Sequence, residues 1–172
     1  MTALGLLILR LVVGLTLAGH GAQKVFSWFG GSGISGWAGM VQKLRIRPAL
    51  PWAWMAALAE LVGGLLVALG FLSPLGSLAI VGSMLVAIAL VHWSRGFWVT
   101  KGGYEFNLLI VAAVMALALT GPGRYSLDQA LGITLPEPIT LIVGTIVVVA
   151  GVAISLATRA PVAVAEAKPQ TT

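Results

Sequence analysis

Several ionisable side chains interrupt long apolar stretches of this sequence, and their types suit proton transfer and ligand binding. Arginine and lysine donate hydrogen bonds to anions or carbonyl oxygens, carboxylates hold protons, and histidine can do both. Ionisable residues at membrane depth are costly and are functional candidates by default. As candidate catalytic residues we select Glu60, His20 and Glu105. As candidate cofactor-binding residues we select Arg10, Lys24 and His92.

Arg10, His20 and Lys24 all belong to the first apolar segment. At 100° per residue, Gly14, Gly21 and Lys24 lie within about 40° of Arg10 around a helix, and His20 lies about 80° away. A polar face lined with glycine is unsuited to lipid, so we expect it to point into a helix bundle.

Glu60 is the one carboxylate near the middle of an apolar segment. Small residues lie three or four positions either side of it: Ala56, Ala57, Gly63 and Gly64. Two interpretations stay open. In the structural one, Arg10 and Glu60 form an internal ion pair that fixes helix register. In the functional one, all six candidates line a single polar pocket.

His20 and His92 lie toward the same end of their apolar segments. Two histidines at one depth could ligate a haem iron or bind a quinone oxygen. The sequence has no haem attachment motif, which favours a quinone-side hydrogen bond or a plain interfacial position. We predict no metal site.

The elements that must position these side chains are membrane-spanning helices. Of 172 residues, 59% are hydrophobic and only 9% are charged, and the mean hydropathy is +1.03. A soluble domain has about 25% charged residues. Cysteine is absent, which excludes disulfides, thiolate catalysis and Cys-ligated metal sites in this chain. The net charge of +5 is spread along the chain and indicates membrane topology rather than nucleic acid binding.

The sequence predicts an all-α integral membrane protein. A span needs roughly 20 mostly apolar residues, and five segments qualify: 3–25, 51–72, 74–93, 105–121 and 138–158. The first four give a four-helix transmembrane bundle over residues 1–131. The segment 132–158 adds a fifth, C-terminal transmembrane helix, and 159–172 is a disordered cytoplasmic tail.

Three shorter features complete the prediction. The first apolar run lacks a preceding basic residue and contains Arg10, so it is a retained span rather than a cleaved signal peptide. Apolar residues in GISGWAGMVQKLRIRP recur at helical spacing, which indicates a short interfacial helix between the first two spans. A partly ordered basic loop is the alternative there. SLDQ has capping-box spacing, with Ser126 as N-cap of a short helix.

The distribution of charge predicts the orientation of the chain. Nearly all basic residues fall on the face that holds the first loop, the third loop and the C-terminal tail, and Arg124 is the exception. The positive-inside rule makes that face cytoplasmic, with the N-terminus outside and the C-terminus inside. All six tryptophans flank spans on the same face. They indicate interfacial anchoring or, alternatively, an aromatic vestibule.

Six segments in order along residues 3 to about 131 resemble the DoxX/DoxD family of small prokaryotic membrane proteins. They are the first span with Arg10, GHGAQKVFSWFGG, ALAELVGGLLVALGFLSPLGS, HWSRGFW, KGGYEFNLLI and GPGRYSLD. The resemblance implies a four-helix bundle in the prokaryotic cytoplasmic membrane. It also singles out six residues: Arg10, His20, Lys24, Glu60, Glu105 and Asp128.

Some proteins of that family resemble the membrane subunit of a thiosulfate:quinone oxidoreductase. The resemblance therefore implies a quinone cofactor, an anionic sulfur compound and a partner subunit or homo-oligomer within the lipid bilayer. Distant relatives of the bundle are cargo receptors and assembly chaperones. A non-catalytic scaffold with buried structural ion pairs thus remains the alternative, and an ion or solute carrier is weaker because no inverted repeat is visible.

Overall fold

The computed structural model describes residues 1–161, and its fold is a bundle of apolar helices. The helices are α1 (Thr2–Phe26), α2 (Gly33–Lys43), α3 (Ala49–Leu69), α4 (Ser73–Ala87), α5 (Glu105–Thr120), α6 (Leu127–Leu131) and α7 (Ile139–Ala157). A π-helical turn, Ile88–His92, and a 3-10 turn, Trp93–Arg95, extend α4. Within residues 1–161, four helices are long and apolar enough to cross a membrane, namely α1, α3, the extended α4 and α7. Helix α5 is apolar but has only 16 residues.

The core of the bundle is built by α1, α3, α4 and α5. Each contributes fully buried aliphatic side chains to one cluster, including Leu17, Val67, Ile80, Val114 and Leu117. The predicted four-helix bundle is therefore confirmed. Helix α7 packs beside α4 outside this core, where Gly144 lies against Leu78 and Gly82 against Val148. Most of the surface of α7 stays exposed, with Ser155 as its one buried residue.

Helices α1 and α3 run antiparallel with their backbones in close contact. A Cβ atom added to Gly14 would lie 2.5 Å from the Ala68 nitrogen, and one added to Gly21 would lie 2.3 Å from the Leu61 nitrogen. Real Cβ atoms do not approach backbone so closely, so only glycine fits at these positions. The predicted glycine-lined face of α1 is thus the face that packs, and it fixes the register of the two helices.

The segment between the first two spans forms a real helix, which excludes the alternative of a basic loop. Helix α2 packs on the start of α3 through a small cluster of Val41, Ile46 and Ala53. The Trp37 indole also donates a hydrogen bond to the Ala53 carbonyl oxygen at 3.1 Å. Helix α2 is therefore docked on the bundle through a buried face.

The two ends of the bundle are closed differently. We call the end that holds α2 and Trp93–Arg95 the α2 end, and the end that holds α6 the α6 end. At the α2 end, the Arg47 amide donates to the Thr158 carbonyl and the Ala160 amide to the Arg45 carbonyl, at 3.2 and 2.8 Å. These bonds fasten the end of α7 to the loop before α3. At the α6 end, the Ser126 hydroxyl accepts the Gln129 amide at 3.2 Å, as the capping-box spacing predicts.

The predicted spans agree with the observed helices to within a few residues. The domain division at residues 131 and 158 remains a prediction, although α7 does lie outside the four-helix core. Of the predicted tail, residues 162–172 lie outside the described residues.

The close contact of α1 with α3 predicts different effects for two neighbouring glycines. We expect Gly21→Ala to lower the free energy of unfolding by about 1–3 kcal/mol, the usual cost of overpacking. Gly19 has no atom within 4 Å of an added Cβ. Gly19→Ala should therefore leave stability unchanged or raise it slightly, because alanine favours helix more than glycine does. Thermal unfolding in detergent measures both variants, and equal effects would contradict the packing described.

Candidate functional site

An ion pair lies inside the bundle where α1, α3 and α4 meet. Lys24 of α1 forms a salt bridge with the Glu60 carboxylate of α3 through Oε2. The Ser83 hydroxyl of α4 donates to the other carboxylate oxygen, Oε1, at 2.8 Å. The side chain of Glu60 is 4% exposed and that of Lys24 is 19% exposed. Among residues 1–161 this is the one ion pair, and three helices contribute to it.

Glycines bring the three helices close enough for this contact. Gly64 of α3 faces the α1 backbone, and Gly63 faces Gly76 and Ile80 of α4. Glu60 lies one turn before these glycines and therefore projects between α1 and α4. The Trp37 ring of α2 lies 4.5 Å from the Lys24 ammonium, so the cation has an aromatic face as well as a carboxylate beside it.

The ion pair closes one side of an apolar cavity. The cavity has a volume of about 350 Å³, which falls within the usual range of small-molecule sites. Its walls come from α2, α3, α4 and α7, and most of them are aliphatic or aromatic side chains. The charged and hydroxyl side chains in its lining are Lys24, Glu60, Ser83 and Ser155. The Ser155 hydroxyl donates to the Val152 carbonyl within its own helix.

This arrangement can bind a molecule that is mostly apolar and carries a hydrogen-bonding group at one end. Lysine has three N–H donors, of which Glu60 uses one, so a ligand oxygen can accept another. The carboxylate can accept a ligand hydroxyl or hold a proton. Because the ion pair carries no net charge, the cavity suits a neutral head group better than an anion.

Arg10 lies at the other half of the bundle, toward the α6 end. Its side chain is fully buried, and Nη2 donates to the Tyr125 carbonyl. Nη1 lies against Gly70, where an added Cβ would be 1.5 Å away. Gly70 also has the left-handed φ of 62° that ends α3. Glycine is therefore required there both for the turn and for the guanidinium.

Asp128 completes the same junction by capping α4. Its carboxylate accepts the backbone amides of Leu72 at 2.9 Å and Ser73 at 3.2 Å. Its own amide donates to the Gly70 carbonyl at 3.0 Å. Asp128 is one of the six residues that the family resemblance singled out. Its role in the structure is to join α6 to the turn between α3 and α4.

The predicted ion pair between Arg10 and Glu60 is wrong, and the register of α1 on α3 gives the reason. Gly14 meets Ala68 and Gly21 meets Leu61, so each step forward along α1 is a step back along α3. Arg10 is one turn before Gly14 and therefore reaches the end of α3 at Gly70. Lys24, at the other end of the same face, comes level with Glu60.

The other three candidates lie outside the cavity lining. His20 is exposed on α1. His92 Nδ1 lies 2.7 Å from the Gly102 carbonyl oxygen, and Glu105 accepts the Val99 amide at 2.9 Å. His92 and Glu105 therefore hold the loop between α4 and α5. Within residues 1–161, no group of three or more His, Asp or Glu side chains comes together as a metal site.

Of the six candidates, the structure brings Lys24 and Glu60 together and separates Arg10, His20, His92 and Glu105 from them. Ser83 and Trp37 are neighbours of the ion pair that the sequence did not predict. Ser83 is the one hydroxyl in a stripe of small residues at helical spacing on α4, namely Gly76, Ala79, Ser83 and Ala87, and that stripe is a signal by which it could be found. For Trp37 the sequence predicts a place on the interfacial helix and either membrane anchoring or an aromatic vestibule, because its spacing does not show which side chain its ring contacts.

Comparisons with known proteins agree on one family. The DoxX family profile matches residues 5–93. The inner membrane protein YqjF of Escherichia coli is 32% identical over 123 residues, which cover 69% of this chain and 92% of YqjF. The uncharacterised membrane protein Rv3486 of Mycobacterium tuberculosis is 29% identical over 133 residues, covering 72% and 78% of the two chains. No solved structure matches the chain.

The buried ion pair predicts strong coupling between Lys24 and Glu60. Lys24→Met or Glu60→Leu alone should lower the free energy of unfolding by about 3–5 kcal/mol, because each leaves a charge unpaired inside the protein. The double variant should recover most of this loss. Chemical denaturation in detergent completes the double-mutant cycle. If the double variant loses the sum of the two single losses, the two residues are not coupled.

Asp128 should stabilise the fold as a helix cap. We expect Asp128→Ala to lower the free energy of unfolding by about 1–2 kcal/mol, because the two amides at the start of α4 lose their acceptor. Glu137→Ala removes an exposed carboxylate from the same end of the bundle and serves as the matched control. An equal change in unfolding midpoint for the two variants would argue against the capping role.

Proposed function

The chain belongs to the DoxX family of membrane proteins, and on that premise we propose that it binds a membrane-soluble quinone as the quinone-side component of an oxidoreductase. The single observation that carries the proposal is the apolar cavity with Lys24, Glu60 and Ser83 at one side. A quinone has the matching chemistry, with a ring that carries carbonyl oxygens and a long hydrocarbon tail.

Different residues of the cavity would bind the head group and the tail of the quinone. Lys24 would donate a hydrogen bond to a quinone carbonyl oxygen, and the aliphatic walls from α4 and α7 would hold the tail. A bound quinone would supply two-electron chemistry. Glu60, fixed by Lys24 and Ser83, would hold or release a proton beside the carbonyl oxygen.

Electrons would have to arrive from a partner. The chain has no cysteine to react with sulfur, so the sulfur compound implied by the family resemblance would be handled by another subunit. Because the ion pair is neutral overall, the cavity itself is better suited to the quinone than to an anionic sulfur compound. A homo-oligomer is the alternative assembly.

For localisation, we propose the prokaryotic cytoplasmic membrane with the N-terminus outside and the α2 end inside. The relative from Escherichia coli is described as an inner membrane protein. The α2 end also holds most of the basic residues, in agreement with the positive-inside rule.

One observation favours a second candidate, a non-catalytic scaffold that recruits a partner protein. Aromatic side chains are exposed at the α2 end, with Trp28 58%, Trp93 66% and Trp98 60% accessible. Such residues can anchor a protein at the bilayer surface or form the centre of a protein interface. A scaffold would use the Lys24–Glu60 pair for stability alone.

Quinone binding in the cavity can be tested with a substitution that leaves Lys24 and Glu60 unchanged. Gly151 lines the cavity, and an added Cβ there has no atom within 4 Å. Gly151→Leu should therefore fill the cavity, keep the fold and weaken quinone binding at least tenfold. Ala150→Leu places the same side chain on the exposed surface of α7 and should bind normally. Quenching of tryptophan fluorescence by a short-tailed quinone, with protein in quinone-free nanodiscs, measures the affinity.

A second pair of variants tests the polar side of the cavity. Lys24→Met, measured on protein whose helix content is unchanged, should weaken binding about tenfold or more, since hydrogen bonds to charged groups contribute about 1.5–3 kcal/mol. Ser83→Ala should weaken binding less, because the Ser83 hydroxyl positions Glu60 and is given no bond to the quinone. Lys101→Met, in an exposed loop outside the cavity, is the control. If all these variants bind quinone as the unaltered protein does, or if none binds it at all, the quinone proposal fails and the scaffold is favoured.

A further inference from the structure

A cluster of cations gathers where the start of α3 and the end of α7 meet. Arg45 and Arg47 lie in the loop before α3, and Arg159 lies two residues after the end of α7. The backbone pairing of Ile46 with Arg159 holds these two segments side by side. Arg159 Nε also donates to the Leu44 carbonyl at 3.3 Å. Lys43, the last residue of α2, precedes this loop and is exposed. We name Lys43, Arg45, Arg47 and Arg159 the basic cluster.

Within the part of the chain that the structure describes, the carboxylates of Glu60, Glu105 and Asp128 are engaged elsewhere. Within residues 1–161, the basic cluster makes no salt bridge. Glu60 pairs with Lys24, Glu105 accepts the Val99 amide, and Asp128 caps α4 at the α6 end. The positive charge of the cluster is therefore not neutralised by the described part of the bundle.

The position of the cluster specifies the kind of partner. Arg47 precedes the first turn of α3 and Arg159 follows the last turn of α7, and both helices are long and apolar enough to cross a membrane. Helices of this length are expected to end at the edge of the hydrocarbon core, next to the lipid head groups. Leu50 of α3 and Ile154 of α7 lie further from the helix ends than the cluster does. They are 53% and 56% exposed and offer an apolar surface to hydrocarbon chains.

We propose that the basic cluster binds the phosphate head group of an anionic phospholipid, whose acyl chains lie along α3 and α7. Arginine suits this role because its guanidinium can donate two parallel hydrogen bonds to one phosphate. The cluster joins α2, α3 and α7 at the side of the cavity lined by Leu44 and Ile46. A bound lipid would hold α7 against the bundle, since α7 buries so little surface of its own.

Native mass spectrometry can compare the binding of phosphatidylglycerol and phosphatidylcholine to the purified full chain in detergent. The unaltered protein should retain phosphatidylglycerol preferentially. The double variant Lys43→Gln/Arg47→Gln removes two exposed cations that make no side-chain hydrogen bond among the described residues. Its preference should fall about fivefold for each cation removed.

The control variant Lys101→Gln/Arg124→Gln lowers the net charge equally but lies outside the cluster, and it should keep the preference. An unchanged preference in the cluster variant, or an equal fall in both variants, overturns the proposal. Inorganic phosphate provides the remaining comparison. If phosphate alone raises the melting temperature as much as phosphatidylglycerol does, the cluster is a soluble-anion site and the lipid assignment is wrong.

Discussion

The close contact between the backbones of α1 and α3 is the constraint on which the rest of the structure depends. Gly14 and Gly21 on one helix and Gly64 on the other leave no room for a side chain between them. The register at which the two helices make this contact determines which polar residues meet. It sends Arg10 to the turn after α3 and Lys24 to Glu60. A shift by one turn would leave buried charges facing aliphatic side chains.

The two places where the described bundle buries charged side chains differ in what holds those side chains. At the α6 end, Arg10 and Asp128 are held largely by backbone atoms, with Tyr125, Leu72 and Ser73 as partners. That junction joins separate segments of the backbone. At the other group, Lys24, Glu60 and Ser83 bond to one another through side chains and border an apolar space. Side-chain partners beside a cavity are available to a ligand, so we take this second group as the candidate binding site.

Much of the fold could be predicted from the sequence because it depends on local patterns. The lengths of the mostly apolar runs predict the spans. The helical period predicts the buried face of α1, which carries Arg10, Gly14 and Gly21. The pairing of charges could not be predicted, since stripes of glycine and alanine on α1 and α3 are compatible with several registers. The cavity could not be predicted either. One of its walls is α7, and nothing in the spacing of an aliphatic helix says which neighbour it packs against.

The hydrogen bond of Arg10 also bears on how the chain is assembled during synthesis. Its acceptor, the Tyr125 carbonyl, lies 115 residues later in the chain. When α1 first enters the bilayer it carries a guanidinium that costs at least a few kcal/mol at that depth. That cost is relieved only after α5 has been inserted and the α6 segment has folded back. The first helix to be made therefore reaches its final environment only after the chain has been synthesised as far as Tyr125.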